Sequence, residues 1–157
     1  MRKSVSQELN EKRKCCRTMN RFYAVFDTNV LVSALMSKRQ DSPTVLLLDL
    51  VLEGTIVLLY NEEILEEYKD VLHRDKFGFS DERIEMLMEV VGTGLNLERT
   101  DSKELFPDPD DAVFYEVALS KEGSYVVTGN VKHFPLSPIV VSPAEMLEII
   151  QTVVAKP

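Results

Sequence analysis

Residues Phe22 to Leu35 decide how the rest of the chain is interpreted; they read Phe-Tyr-Ala-Val-Phe-Asp-Thr-Asn-Val-Leu-Val-Ser-Ala-Leu. The first five form a short apolar run of strand-like composition that ends abruptly on Asp27. Apolar residues at helical spacing follow at once. In an open α/β sheet, ligands bind in the crevice beyond the carboxyl ends of the strands. A carboxylate at that position, with no cation beside it in the sequence, therefore indicates a functional site.

Apolar runs and helical patterns alternate along the rest of the chain. Strands are predicted at 21–26, 55–60, 125–128 and 139–141. Helices, counted with their capping residues, are predicted at 28–37, 42–53, 61–74, 81–91, 108–120 and from 142 onward. Strands that alternate with helices predict a parallel sheet with helices on both faces. We therefore expect an α/β fold: a three-layer α/β/α sandwich around a central, mostly parallel sheet of four to five strands.

Size and composition indicate one globular domain. The chain has 157 residues, of which 45% are hydrophobic and 28% charged, which is ordinary for a globular protein. We expect the domain to span 20–152, between a basic, disordered leader at 1–19 and a tail at 153–157. No apolar run reaches the ~20 residues of a membrane-spanning helix. Residues 1–20 lack the apolar core of a signal peptide, so a cytoplasmic location without membrane contact is expected.

The leader differs from the domain in charge. Residues 1–20 contain six basic and two acidic side chains, a net charge of +4. Because the whole chain has a net charge of −8, the remaining residues carry −12. An acidic domain is a poor non-specific binder of nucleic acid, because basic side chains that neutralise phosphates supply most of that affinity. This argues against a DNA-coating role but not against a metal-dependent enzyme. The adjacent Cys15 and Cys16 form neither a zinc site nor a disulfide framework. Free thiols are expected, and Met19 is an alternative start.

In the helix predicted at 61–74, Glu67 is the acid best placed for a site. One apolar stripe at helical spacing consists of Ile64, Leu65, Tyr68, Val71 and Leu72. At about 100° per residue, Glu66 points away from this stripe into solvent, whereas Glu67 lies at its edge, where it can reach over the end of the sheet. The other acids of this helix are expected to form a solvated face.

The segment from Asp108 to Asp111, Asp-Pro-Asp-Asp, has two interpretations. Aspartate is a good N-cap, proline suits the first helical position, and acids in the first turn interact favourably with the helix dipole. Asp27 could likewise cap the helix that begins near Thr28, and Glu67 could be an ordinary half-exposed acid. The joint placement favours a shared site, because all three segments are expected where the carboxyl ends of the strands gather. Acids that converge there indicate a divalent metal site.

Four motifs occur in order along the chain. They are Asp27-Thr28-Asn29, Glu67-Tyr68, Asp108-Pro109-Asp110-Asp111, and Val127-Thr128-Gly129-Asn130 with His133-Phe134-Pro135 after it. Each is weak alone, but the ordered set resembles a PIN (PilT N-terminal) domain, the nuclease fold of many toxins in prokaryotic toxin–antitoxin pairs. The resemblance covers nearly everything from Phe22 to Ile150.

This resemblance assigns roles to the acids. Asp27, Glu67 and Asp111 match the three principal metal-site acids of the family and are the catalytic residues we expect. Asp108 is an additional candidate ligand. The implied activity is that of an endoribonuclease that hydrolyses RNA phosphodiesters as the toxin of a toxin–antitoxin pair.

The polar residues near the first and third predicted strands match supporting positions of the family. Asn29 and Thr128 match positions that hold the acids or the scissile phosphate. Where many family members carry a fourth acid, this chain has Asn130. Its amide oxygen can ligate a metal or orient a water, but it is neutral and adds no negative charge to the site. This difference leaves open an alternative function, that of a catalytically inactive PIN-like module that binds RNA or protein.

Mg²⁺ is the expected cofactor. Clustered carboxylates raise one another's pKa unless a cation lies among them. Mg²⁺ takes oxygen ligands, keeps several waters and typically uses one or two protein carboxylates together with substrate phosphate. Mn²⁺ has overlapping preferences and is the alternative ion. Zinc is not expected, because His73 and His133 are the only histidines and no His/Cys set accompanies them.

The resemblance also implies partners. Besides the RNA substrate, it implies a small antitoxin that places basic side chains into the acidic crevice, and the −12 net charge of the residues after position 20 is electrostatically compatible with such a partner. Homodimers are common in the family and are a further option.

Two other enzyme or signalling folds fit less well. A receiver-type signalling domain also gathers acids around Mg²⁺, but it needs paired acids at the end of the first strand, and Lys132 here follows irregular sequence instead of a strand. A haloacid-dehalogenase-type phosphatase needs Asp-x-Asp after the first strand, and Asn29 occupies that second position.

Overall fold

A computed structural model describes residues 21–154 of the chain. The predicted leader, with Cys15, Cys16 and Met19, lies outside these described residues, as do the last three residues of the predicted tail. In the described part, no helix combines the length and the apolar character needed to cross a membrane.

Five strands form one sheet in the spatial order β3–β2–β1–β4–β5. Their bounds are β1 (Phe22–Phe26), β2 (Ile56–Tyr60), β3 (Leu95–Asn96), β4 (Tyr125–Val127) and β5 (Val140–Val141). Every pairing is parallel; in the central strand, Tyr23 lies opposite Val57 of β2 and Val25 opposite Val126 of β4. The predicted parallel sheet of four to five strands is confirmed.

Helices cover both faces of this sheet. Their bounds are α1 (Thr28–Met36), α2 (Pro43–Glu53), α3 (Glu62–Leu72), α4 (Asp81–Gly92), α5 (Ala112–Leu119) and α6 (Pro143–Val154). Consecutive residues of a strand point to opposite faces, and Ala24 and Val25 of β1 are both fully buried. The central strand is therefore enclosed from two sides, and the fold is the three-layer α/β/α sandwich that the sequence predicted.

Local capping residues explain several helix boundaries. The Asn61 side chain accepts the backbone N–H of Ile64 at 2.9 Å, so it caps α3. Ser142 and Glu145 form a reciprocal capping box before α6, because the backbone N–H of each donates to the side chain of the other at 3.1 Å. Gly54 ends α2 in the left-handed conformation, at φ 85°. These interactions are local in sequence, and for that reason the sequence predicts them well.

Three features differ from the predicted elements. The edge strand β3 is only two residues long, too short to produce a recognisable alternating pattern. The segment predicted as the beginning of the helix at 108–120 is a separate 3-10 turn, Pro109–Asp111, and α5 begins at Ala112. Finally, α6 continues to Val154, which lies within the predicted tail.

Gly94 allows the chain to approach β2 closely before β3 begins. A Cβ atom at this position would lie 1.9 Å from the backbone oxygen of Leu58. We expect Gly94→Ala to lower the free energy of unfolding by about 1–3 kcal/mol, because one of the two backbones must move. Denaturant unfolding measures this as a lower midpoint. Gly92→Ala is the matched control, since its added Cβ would have no neighbour within 4 Å; equal stability of the two variants would contradict the prediction.

Candidate active site

The strand order creates a crevice between β1 and β4. From β1 the sheet extends through β2 and β3 on one side and through β4 and β5 on the other. The connections that leave β1 and β4 therefore run in opposite directions, which opens a gap at the carboxyl ends of these two strands. Asp27 directly follows β1, and Thr128 directly follows β4. The two residues face this gap from its two sides.

Asp27 is a buried carboxylate, only 8% exposed. Its Oδ2 accepts hydrogen bonds from the Thr128 hydroxyl at 2.8 Å and from the Asn29 side-chain amide at 3.1 Å. Burial raises the pKa of Asp27, although these two donors, the Thr28 backbone and the charge of His133 oppose the increase. Asp27 occupies the N-cap position of α1 but makes no capping hydrogen bond with its side chain. Capping therefore does not account for this acid.

The polar residues beside Asp27 form one connected network. The backbone N–H of Gly129 donates to Asn29 Oδ1 at 3.0 Å, and the backbone N–H of Asn130 donates to the Thr128 hydroxyl at 2.9 Å. Each donor to Asp27 is thus itself held by the loop after β4. Asn130 enters the network through its backbone, while its side chain is exposed. The structure brings together Asp27, Asn29 and Thr128, which the sequence had placed in one site.

Asp111 ends the 3-10 turn that precedes α5, with 20% of its side chain exposed. Burial raises its pKa to about 6, and the negative charges of Asp27 and Asp108 contribute to the increase. His133 has the opposite influence; its Nδ1 lies 3.9 Å from Asp111 Oδ2. The electrostatic influence of Asp27 on Asp111 indicates that the two acids, which are distant in sequence, share one region of negative charge.

Glu67 approaches the same region from α3. It is half-buried, whereas Glu66 beside it is exposed, in agreement with the predicted helix geometry. Burial raises the pKa of Glu67, and the charges of Asp70, Asp110 and Asp27 raise it further. Glu67 and Asp111 are thus both within electrostatic range of Asp27.

Asp108 has a structural role in the turn before α5. It is exposed, and its Oδ1 accepts the backbone N–H of Asp110 at 3.0 Å. This contact is the capping that the sequence suggested for the segment. A role of Asp108 as an additional metal ligand stays a prediction.

Glu116 is a buried acid that we did not single out from the sequence. Its carboxylate accepts from the Arg99 guanidinium at 2.5 Å and from the backbone N–H of Ser102 at 2.9 Å. Arg99 also contacts Glu63 of α3 at 2.6 Å. These bonds connect the segment around 99–102 to α3 and to α5. They also supply hydrogen-bond donors to the buried Glu116 carboxylate, so its burial is explained without a catalytic role. Its partners lie 14 and 17 residues away, so helical spacing could not reveal them.

The donor chemistry of the site fits a hard divalent cation. Within residues 21–154, no three His, Cys, Asp or Glu side chains lie close enough together to form a complete metal cage. Mg²⁺ needs no such cage, since it commonly uses one or two protein carboxylates together with water and substrate phosphate. Asp27 and Asp111 supply two carboxylates whose pKa values are raised by burial. A cation between them would relieve their mutual repulsion.

Fold and crevice together define the class of protein: a doubly wound α/β domain with a buried acid, Asp27, at its topological switch point. A family model described as PIN domain matches residues 23–132, more than two thirds of the chain. The chain belongs to the PIN domain family, whose members are generally nucleases. Neither a curated protein nor a solved structure matches the chain.

Proposed function

We propose that this protein is a metal-dependent endoribonuclease that hydrolyses RNA phosphodiesters. The observation that carries the proposal is the buried Asp27 carboxylate at the switch point, whose hydrogen-bond partners among residues 21–154 are all neutral. Burying a carboxylate without a cation costs stability, and Asp111 and Glu67 add negative charge nearby. A site that retains such an arrangement is suited to bind a cation during its function.

In this proposal the side chains of the chain hold and orient the reacting groups. Asp27 and Asp111 would hold Mg²⁺, or Mn²⁺ in its place, and Glu67 would act on the ion through the attacking water, which it would orient. When bound, the ion would lower the pKa of that water and neutralise charge that develops on the phosphate. Thr128 and Asn29 keep the Asp27 carboxylate in one orientation. His133, exposed beside Asp111, is available to the phosphate backbone.

The proposal extends to a toxin role with a basic antitoxin partner. The residues after position 20 carry a net charge of −12, and the acids of the crevice concentrate negative charge there. A basic side chain of a partner inserted into this crevice would compensate the charge in place of the metal ion and would thereby inhibit cleavage. Expression of the protein alone should arrest growth, and co-expression with the product of the neighbouring reading frame should relieve the arrest. Growth arrest that persists in Asp27→Asn and is not relieved by the co-expressed partner would count against the toxin role.

One observation favours an alternative, an inactive PIN-like module that binds RNA or protein. The position where many family members carry a fourth acid holds Asn130, whose exposed amide side chain brings no charge to the site. A module of this kind would bind RNA with an affinity that does not depend on the acids, and it would release no cleavage product.

The test compares two neighbouring glutamates of α3. Glu67→Gln removes the half-buried acid of the site, and Glu66→Gln makes the same change on the exposed side of the helix. With purified protein, RNA and Mg²⁺ or Mn²⁺, we expect Glu67→Gln to lose about a hundredfold in cleavage rate, while Glu66→Gln stays within twofold (roughly the scatter of a surface substitution). A chelator should abolish cleavage, and single-stranded DNA of the same sequence tests the choice of RNA. Binding without cleavage by the wild type would favour the alternative.

A further inference from the structure

Tyr68 is a buried side chain that contacts all three acid-bearing segments. It directly follows Glu67 on α3 and is 1% exposed. Its hydroxyl donates a hydrogen bond to the backbone oxygen of Phe26, the residue directly before Asp27. Its ring packs against Phe114, with ring centroids 6.3 Å apart, and Phe114 lies in the first turn of α5, which follows Asp111. One tyrosine thus connects the segments that carry Glu67, Asp27 and Asp111.

The chemistry of the hydroxyl suits a fixed connection. A phenol has an ordinary pKa of about 10 and is therefore protonated at physiological pH. The group therefore acts as a permanent donor, directed at a carbonyl of the strand end instead of at a side chain that could rotate. The hydrogen bond thereby connects the turn of α3 that contains Glu67 and Tyr68 to the peptide unit between Phe26 and Asp27.

From this arrangement we infer that Tyr68 is a positioning residue, which sets the distance of Glu67 from Asp27 through its hydrogen bond to Phe26. The inference rests on the proposed nuclease function, because it concerns the geometry of the same site. Tyr68 touches neither metal nor RNA in this account. Groups that orient metal ligands in this indirect way typically contribute tenfold to a hundredfold to metal affinity or activity.

The decisive variant is Tyr68→Phe, which keeps the ring and its packing against Phe114 and removes only the hydroxyl. The matched control is Tyr60→Phe, since the Tyr60 hydroxyl also donates to a backbone carbonyl, that of Gly92, at 3.4 Å. We expect Mn²⁺ affinity, measured by calorimetry or by electron paramagnetic resonance, to fall at least tenfold (the lower end of that range) in Tyr68→Phe. The control should stay within about twofold, equivalent to ~0.4 kcal/mol.

A kinetic comparison separates positioning from general loss of structure. In Tyr68→Phe, raising the Mn²⁺ concentration should restore most of kcat, while KM for RNA stays at the wild-type value. Because bound metal also stabilises the folded state, the folded fraction of Tyr68→Phe is measured by circular dichroism at each Mn²⁺ concentration, and kcat is compared only where the variant is fully folded. Wild-type Mn²⁺ affinity and cleavage in the variant would overturn the inference and leave the nuclease proposal intact. No Mn²⁺ binding by the wild type would overturn both.

A measurement on the wild type covers the case in which the variant does not fold. With tyrosines labelled for nuclear magnetic resonance, Mg²⁺ titration should shift the Tyr68 signal in a saturable way, because its hydroxyl bonds to the peptide unit beside Asp27. Tyr125 is the internal reference, since it is the first residue of β4 and lies at the end of that strand away from Thr128. The inference would be overturned if the Tyr68 and Tyr125 signals responded equally. It would also be overturned if the Tyr68 signal did not shift while Mg²⁺ binds.

Discussion

Replacing Asp27 with asparagine is expected to reduce RNA cleavage by roughly a thousandfold, equivalent to about 4 kcal/mol of transition-state stabilisation. The substitution preserves the shape of the side chain. The oxygen of the new amide can still accept from Thr128 and Asn29, which both donate to Oδ2 of Asp27. What disappears is the negative charge at the switch point, and with it the group that we expect to bind the cation most directly.

Stability measurements show whether the lost activity comes from the charge or from the fold. Because burial raises the pKa of Asp27, the ionised carboxylate opposes folding, and Asp27→Asn should be at least as stable as the wild type in the absence of metal. A suitable control is Asp49→Asn, the same change at an exposed position of α2. If the Asp27 variant, fully folded, kept more than roughly a tenth of wild-type activity, a reduction of under ~1.4 kcal/mol in barrier stabilisation, the assignment of Asp27 would be wrong.

Asp111→Asn is expected to have opposite effects on stability and on metal response. Without metal at pH 7.5, the variant should be more stable than the wild type by about 1 kcal/mol, a figure that allows for solvent screening of a partly exposed side chain. With Mg²⁺ at about 100 times its dissociation constant, the wild type should gain roughly 2.7 kcal/mol. The variant should gain much less, so the order of stability should reverse. Thermal unfolding with and without Mg²⁺ measures both effects.

The pH dependence follows from the direction of the pKa shift. The ordinary pKa of this carboxyl is 3.8, and in the folded protein it is raised to about 6. The folded protein therefore binds the proton more tightly than the unfolded chain, and this contribution to stability is fully present below pH 3.8. It is lost as the pH rises through about 6. The stability advantage of Asp111→Asn over the wild type should therefore be complete above about pH 7 and absent near about pH 4.

Asp49→Asn, at an exposed position of α2, is the matched control for this experiment as well. It should change neither the stability at pH 7.5 nor the response to Mg²⁺ by more than about 0.5 kcal/mol, the usual limit for a surface substitution. An equal Mg²⁺ response in the wild type and in Asp111→Asn would remove Asp111 from the proposed metal site. An increase of the variant's advantage at low pH would contradict the electrostatic account.

Features that depend on neighbouring residues were predictable from the sequence. The capping box of Ser142 and Glu145 and the N-cap at Asn61 involve partners three residues apart. The exposed position of Glu66 and the half-buried position of Glu67 follow from helix geometry alone. The parallel sheet followed from the alternation of strands and helices. The two-residue strand β3 was not predictable, because its only distinguishing contacts are those with β2.

The amino-acid sequence by itself determined the succession of strands and helices, the acids at the strand ends and the family to which the chain is similar. The tertiary structure alone decided which groups meet in the crevice. Thr128 reaches Asp27 across 101 residues, and Tyr68 reaches Phe26 across 42. Contacts over such separations leave no periodicity in one sequence, since they depend on strand order and packing. For the same reason, the pKa of Asp111 could be assigned only after folding had placed the other charges around it.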